Sequence, residues 1–325
     1  MKKGRRFTTI LLVIIILAGL SLLLYPTVSD YINSITFHEA IIDYRSRVED
    51  LDRSEYERIM ADARAYNEEL ARRSVIVTSL DDEQREVYNS MLDVTGTGIM
   101  GYIEIPKINI SLPIYHGATD AVLQSGVGHL EGSSLPIGGE GTHALLSAHR
   151  GLPSAKLFTN IDQLVEGDVF TVRVMNEAMT YEVDQITVVL PYEVENLRIE
   201  PDQDYCTLIT CTPYGVNSHR LLVRGHRIET PAGDTPLIDN QRMTINPYTW
   251  SLTTLLIVLG SILVLIIVTV IVIVKLRRKN GVGKPKARYA KAKHRKGNKN
   301  HSPDVTADDT LDEELDLFDD QTKDE

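Results

Sequence analysis

The sequence predicts a mainly β fold, a barrel or sandwich of short strands, preceded by helices and flanked by two membrane-spanning helices. Three observations predict it. Two uncharged runs, Thr9–Val28 (20 residues) and Ser251–Val274 (24 residues), are each long enough to cross a hydrocarbon core; at about 1.5 Å per helical residue they match its thickness of roughly 30 Å. Between them, from Gly96 onward, short apolar or alternating runs are punctuated by Gly, Pro, Asn and Asp, with no βαβ rhythm. Charge is sorted by region: residues 29–250 hold 34 acids against 17 Lys and Arg, whereas residues 275–299 hold 12 Lys and Arg and no acid.

The whole chain has 325 residues, a net charge of −11 and 43% hydrophobic residues, which excludes a mainly disordered chain or a collagen. Two cysteines exclude a four-cysteine metal site and a multi-bridge disulfide scaffold.

Residues 1–8, with Lys2, Lys3, Arg5 and Arg6, read as a basic cytoplasmic N-terminus, and residues 9–28 as a transmembrane helix. A cleaved signal peptide shares the basic start. Its apolar stretch is usually only ~7–15 residues, however, and Tyr25-Pro26-Thr27-Val28 offers no small-x-small cleavage site, so the run is read as a retained anchor. Residues 29–95 read as an extracellular helical region. Asp52 followed by Glu55 makes a capping box, and Ile59, Ala63, Tyr66 and Leu70 recur at helical spacing as a core face.

Residues 96–230 are the β domain, with strands expected in GYIEIPKI, VFTVRV, MTYEVDQITVVL, YCTLITC and HRLLVRGHRI. Leu152–Leu164 reads as a short helix or ordered loop. Residues 231–250, with Pro231, Pro236 and Pro247, form a linker. Residues 251–274 are the second transmembrane helix, preceded by the interfacial aromatics Tyr248 and Trp250. Residues 275–325 form a basic then acidic cytoplasmic tail. The basic flanks hold both termini in the cytoplasm and put residues 29–250 outside, and the juxtamembrane stretch suits anionic lipid. Its place against a span disfavours nucleic acid as its partner.

Chemistry points to Cys211. It ends an expected strand and precedes Thr212-Pro213-Tyr214-Gly215, which must turn; a thiol there is both held and exposed. A buried small hydrophobe is the competing reading. Cys206 lies five positions earlier, about 16 Å along a continuous strand and on the opposite face, so it reads as core and cannot bridge to Cys211. Thiol catalysis needs a proton partner, for which the candidates outside the membrane are His38, His116, His129, His143, His149, His219 and His226. His149 ends an apolar run and enters the turn Arg150-Gly151-Leu152-Pro153; His143 could share its strand face. An oxyanion needs positive charge. A turn through Tyr214–Asn217 and an antiparallel return strand bring Arg220 beside the start of that turn, with Arg224 farther along the same face and Arg227 beyond it. No HExxH, paired CxxC, nucleotide loop or Ser elbow occurs, and Gly138-Gly139-Glu140-Gly141 lacks a phosphate-binding ending.

TLITCTPYGVNSHRLLVRGHR (Thr207–Arg227) resembles the active-site signature of the sortases, closest to the pilin-polymerising class C enzymes of Gram-positive bacteria. His143–Asp168, Gly101–Gly117 and Val122–Pro136 resemble the same family, over roughly residues 25–230. The resemblance implies a closed sortase-type β-barrel with N-terminal helices. It implies Cys211, His149 and Arg220 as the catalytic residues, with no cofactor and no metal. The implied substrate is a surface protein or pilin subunit with an LPxTG-like signal, cut at Thr-Gly through a thioester and joined to a lysine of a pilin acceptor. Two rivals remain: a sortase that attaches proteins to cell-wall precursor, and a non-catalytic membrane scaffold. Many class C enzymes carry an inhibitory lid with an Asp-Pro-aromatic motif; Ser74–Leu92 contains Asp81 and Asp82 but no Asp-Pro pair.

Overall fold

The computed structural model describes residues 2–73, 80–193 and 197–231, together with residues 259, 260, 262, 263, 266, 267, 270 and 274. The chain divides into two units, residues 1–257 and 258–325. In the second unit the eight described residues, all inside the expected second span, are helical. The rest of that span, the linker from 232 and the cytoplasmic tail lie outside the described residues.

The first unit begins with a single helix, α1 (Lys2–Glu49), which continues through Pro26 and past the expected membrane boundary at Val28. Pro26 cannot donate to the carbonyl of Leu22, so the helix continues there with one intrahelical bond fewer. Leu22 and Leu23 are more than 70% exposed, as suits a lipid-facing surface. Among the described residues, this is the one helix long and apolar enough to cross a membrane. The helical region expected from residue 30 onward is thus the second half of α1 plus α2 (Arg53–Arg73). Asp52 starts α2 by accepting from the Glu55 amide at 2.9 Å.

The buried face of α2 is Met60, Ala63, Asn67 and Leu70. Ile59 and Tyr66, expected on that face, pack only partly against the core. The phase shifts because Asn67 points inward: its side chain donates to the Leu135 carbonyl at 3.0 Å and accepts from the Leu135 amide at 2.7 Å. A buried amide with both partners satisfied replaces an apolar contact.

α3 (Asp82–Ser90) lies within the segment compared above with the lid; residues 74–79 of that segment are outside the described residues. Asp81 and Gln84 form a reciprocal capping box. Tyr88 docks the helix on the barrel: its hydroxyl lies 2.9 Å from His129 Nδ1 and accepts from the Gly117 amide at 3.0 Å.

The remaining elements form a closed barrel of eight strands: β1 (Ile99–Ile105), β2 (Ile110–His116), β3 (Val127–His129), β4 (Thr142–Ser147), β5 (Val169–Val174), β6 (Glu177–Val189), β7 (Asp204–Thr212) and β8 (His219–Ile228), in the order β1-β2-β3-β4-β7-β8-β6-β5. A short helix α4 (Asp120–Ser125) precedes β3. Leu152–Leu164 is an ordered loop with one 3-10 turn at Ile161–Gln163. Closure removes free edges, so a barrel rather than a sandwich resolves the alternative in the strand pattern. The interior holds Ile103, Phe170, Val172, Tyr181, Cys206, Leu208 and Val223. Tyr44 ties α1 to the barrel: its hydroxyl donates to the Met100 carbonyl at 3.0 Å and accepts from the Met175 amide at 2.8 Å.

Packing is tight where β8 passes the Phe170–Tyr181 ring pair. A Cβ on Gly225 would lie 2.8 Å from the Phe170 ring and 2.8 Å from the Tyr181 Cβ. Gly225→Ala is therefore expected to cost about 1–3 kcal/mol, read as a lowered midpoint in thermal unfolding; an unchanged midpoint would mean that the ring pair yields freely.

Candidate functional site

The site rests on one parallel pairing. β4 and β7 pair with a constant offset of 62 residues, from Thr142↔Asp204 to Ser147↔Ile209. The offset persists beyond the strand end. The Ala148 carbonyl accepts from Thr210 Oγ1 at 2.8 Å, and Arg150 Nη1 donates to Thr212 Oγ1 at 3.0 Å. His149 and Cys211 lie between these two linked pairs and carry the same offset. Neighbouring strands are ~4.8 Å apart and residues in register share a face, so the continued offset puts His149 and Cys211 on neighbouring strand ends and on one face.

Arg220 enters from the other flank. β7 and β8 are antiparallel, and Cys211 is directly opposite Arg220. Directly opposed residues put their Cβ atoms ~4.5–5.5 Å apart on one face. His149, Cys211 and Arg220 therefore converge on the outer surface of β4-β7-β8 at the end of the barrel, each partly exposed. Among the described residues no hydrogen bond holds the His149 ring or the Cys211 thiol. The Arg220 guanidinium instead donates to the Asn217 and His219 carbonyls at 3.3 and 3.1 Å, within its own turn.

The other histidines fall elsewhere. His219 opposes Thr212 and so faces away from the thiol. His129 is buried under α3, where desolvation pushes its pKa down to about 4. His116 lies between the Gly98 and Met91 carbonyls at 3.0 and 2.7 Å. His226 lies 3.9 Å from Asp184. His38 is on α1. His143 shares the outer face of β4 with His149, six residues back, or about 20 Å. It is a strut: Nδ1 lies 2.7 Å from the Arg198 carbonyl and Nε2 lies 2.7 Å from Thr207 Oγ1. The carbonyl requires the proton on Nδ1, and the threonine hydroxyl then donates to Nε2. Burial holds its pKa down to about 4.

Arg224, the second candidate arginine, opposes Thr207 and is committed to Asp184 through two bonds at 3.0 and 2.9 Å while stacking on Tyr205. Arg227 lies at the far end of β8, 3.7 Å from Asp204. Cys206 is wholly buried, and desolvation raises its thiol well above the ordinary range, so it is core; both cysteines are free. The Gly138–Gly141 segment is a loop at that same far end, where the Gly139 amide donates to Asp204 at 2.8 Å.

Two features of the site escaped the sequence reading. The first is Arg150, which bonds Thr212 with one nitrogen and pairs with Asp162 through another. It staples the residues after His149 to the residue after Cys211. The only signal was its adjacency to His149. The second is a small buried apolar cluster on the outer side of these strands, formed by Leu145, Ile209, Leu222 and Leu197, with Leu130 and Val189 packed against it. Val189 is the β6 partner of Arg220, and Ile209 is two residues before Cys211, so the cluster leads up to the thiol. Strand alternation marked Ile209 and Leu222, but Leu197 and Leu130 come from loops. Among the described residues no cluster of His, Cys, Asp or Glu could hold a metal ion.

A sortase-domain family model matches residues 103–228. Sortase D of Bacillus subtilis (strain 168) is 30% identical over 131 residues, 39% of this chain and 63% of that protein, so the chain spans less than two thirds of that relative's length. The crystal structure of sortase C1 from Streptococcus agalactiae is similar at 52% identity and a TM-score of 0.58, over 59% of this chain and 100% of that one. A Clostridium perfringens sortase C, whose structure includes the C-terminal cell wall sorting motif, is similar at 44% identity and a TM-score of 0.53, over 59% of this chain and 99% of that one.

The neutral struts predict acid lability. His129 and His143 both have folded pKa values depressed to about 4 from an ordinary value of 6.5. The unfolded chain binds more protons between these values, so stability is fully present above about pH 6.5, falls as the pH drops and levels off near pH 4. At ~1.4 kcal/mol per unit, each contributes a loss of up to about 3 kcal/mol. Urea unfolding from pH 7 to pH 4 should show this slope, and His143→Gln should flatten it by roughly half.

Proposed function

Because this chain belongs to the sortase family, on its class C branch, we propose that it is a membrane-anchored cysteine transpeptidase that assembles pilins. The observation that carries the reading is the convergence of Cys211, His149 and Arg220 on one outward face, through the β4–β7 register on one side and the β7–β8 pairing on the other.

The substrate is a surface protein with an LPxTG-like signal. Its sorting signal lies across the outer ends of β4, β7 and β8, which brings the scissile carbonyl to Cys211. The Cys211 thiolate attacks the carbonyl carbon of the Thr–Gly bond, forming a C–S bond and a tetrahedral oxyanion. Arg220 releases its two turn carbonyls and donates to that oxyanion, exchanging neutral acceptors for a charged one. His149 gives its proton to the glycine nitrogen, the C–N bond breaks, and an acyl thioester remains on Cys211. The amine of a pilin lysine then attacks the thioester. His149 takes the amine proton, the C–S bond breaks, and an isopeptide bond replaces it. The three side chains supply nucleophile, acid–base and oxyanion donor; no cofactor enters these steps.

The topology that suits this chemistry has two spans, Thr9–Val28 and Ser251–Val274, both termini in the cytoplasm and the barrel outside. Basic residues flank both runs on their cytoplasmic sides, which supports this orientation.

Incubation with an LPxTG-type peptide and a lysine donor should trap a thioester on Cys211 by mass spectrometry and release the glycine-bearing fragment. Cys211→Ala should form none, and Arg220→Ala should lose ~100-fold or more in kcat with the fold intact. Product formation by Cys211→Ala would overturn the mechanism. Arg150→Ala, which frees the staple between the two strand ends, is expected to lower kcat ~10–100-fold with little change in KM, because it misplaces His149 relative to the thiol rather than removing a substrate contact. A matching rise in KM at unchanged kcat would instead make Arg150 a binding residue.

A further inference from the structure

α1 and the barrel line a partly open cavity of about 240 Å³, with Asp30, Ser34 and Phe37 of α1 on one side and Lys107, Ser111 and Lys156 on the other. Its place along α1 is informative. The uncharged run ends at Val28. At about 1.5 Å per residue, Asp30, Ser34 and Phe37 follow at ~3, ~9 and ~14 Å. The headgroup layer beyond a 30 Å hydrocarbon core is ~5–8 Å deep. Of the three, Asp30 falls within the headgroup layer and Ser34 just beyond it, so the Asp30 side of the cavity is next to the headgroups. The barrel is held there by two bonds from its Leu152–Leu164 loop: Asn33 donates to the Ser154 carbonyl and the Lys156 amide donates to Asp30, both at 2.8 Å.

The lining is amphipathic and rich in donors. Phe37, Ile108, Ile110, Leu112 and Leu157 supply apolar wall. Lys107 and Lys156 bring two ammonium groups; each meets one carboxylate, Asp168 at 2.7 Å and Asp30 at 3.4 Å, which leaves further N–H donors on each. The Ser111 hydroxyl is buried and has no hydrogen-bond partner. A buried hydroxyl without a partner costs about 1–3 kcal/mol, which a bound acceptor would remove. A volume of this size exceeds that of a glycerol phosphate group and is too small for a folded partner.

We propose that this cavity binds the phosphate-bearing headgroup of an outer-leaflet lipid, with the phosphate between Lys107 and Lys156 and a headgroup oxygen accepting from Ser111. The bound lipid fixes the barrel at a set height and tilt on the bilayer. It also bears on the site, because the same loop holds His149: the Phe158 amide donates to the His149 carbonyl at 3.1 Å, and Thr159 Oγ1 accepts from the Gly151 amide at 3.1 Å. The inference rests on the membrane reading of α1 and not on the identity of the substrate.

The test uses the full chain in non-ionic detergent, with native mass spectrometry counting bound lipid during titration with phosphatidylglycerol, phosphatidylcholine or glycerol 3-phosphate. Wild type should retain phosphatidylglycerol, and glycerol 3-phosphate in excess should displace it. Ser111→Val and the Lys107→Gln, Lys156→Gln double variant should each lower retention at least ~5-fold, Ser111→Val without any fall in thermal midpoint. Ser111→Val changes no charge, so its effect separates the cavity from the basic residues 275–299. Equal retention by wild type and both variants would overturn the site, as would displacement by neither headgroup analogue nor excess lipid. Detergent phase partitioning separates the two premises: a chain that leaves the detergent phase would overturn the anchor, while a chain that stays there and binds no lipid through Ser111 would overturn the cavity alone.

Discussion

The arrangement depends on a parallel pairing between two strands whose residues are 62 positions apart. Parallel neighbours cannot be joined by a tight hairpin, so the intervening chain must leave the sheet, build β5 and β6 and return. That detour lets one strand end present His149 and the adjacent end present Cys211 at the same height. A slip of one residue in this register would turn one of the two side chains to the other face. The bonds at Ala148–Thr210 and Arg150–Thr212 extend the register just past the regular strands, where backbone regularity alone would no longer enforce it.

The site is rigid in its framework and loose in its reacting groups. β7 is anchored inward by Cys206, Leu208 and Thr210, and outward by Ile209 in the apolar cluster. His143 holds the loop that supplies Leu197, through the Arg198 carbonyl, and burial keeps its imidazole neutral there. The buried histidines thus serve the scaffold. His149, partly exposed, has no hydrogen bond to its ring among the described residues. Arg220 sits between these extremes, opposite the thiol but turned toward its own turn carbonyls.

The N-terminal region is more continuous than its composition suggests. An apolar run and a polar amphipathic run read as two elements, but α1 carries both without interruption. Composition changes along the helix from apolar to polar; helical hydrogen bonding does not register that change. Asn67 makes a related point on α2. A polar residue on the buried face is invisible to hydrophobic periodicity, because its satisfaction depends on the Leu135 backbone 68 residues away.

The sequence by itself determined the elements that depend on local chemistry. Strand alternation located β5 to β8, Pro and Gly located the turn after Cys211, and the return-strand argument alone placed Arg220 near that turn, because a hairpin is a short-range object. The opposite faces of Cys206 and Cys211 followed from the two-residue period. Strand pattern alone left seven histidines open and only the resemblance singled out His149; the tertiary structure supplies the reason, since His143 and His149 share a strand face and differ in how far the β4–β7 register carries them. Only the tertiary structure decided the role of Arg150, the placing of the loop leucines in the apolar cluster and the cavity under α1. Each arises where segments far apart in the chain meet, and no local pattern of residue types encodes the distance between them.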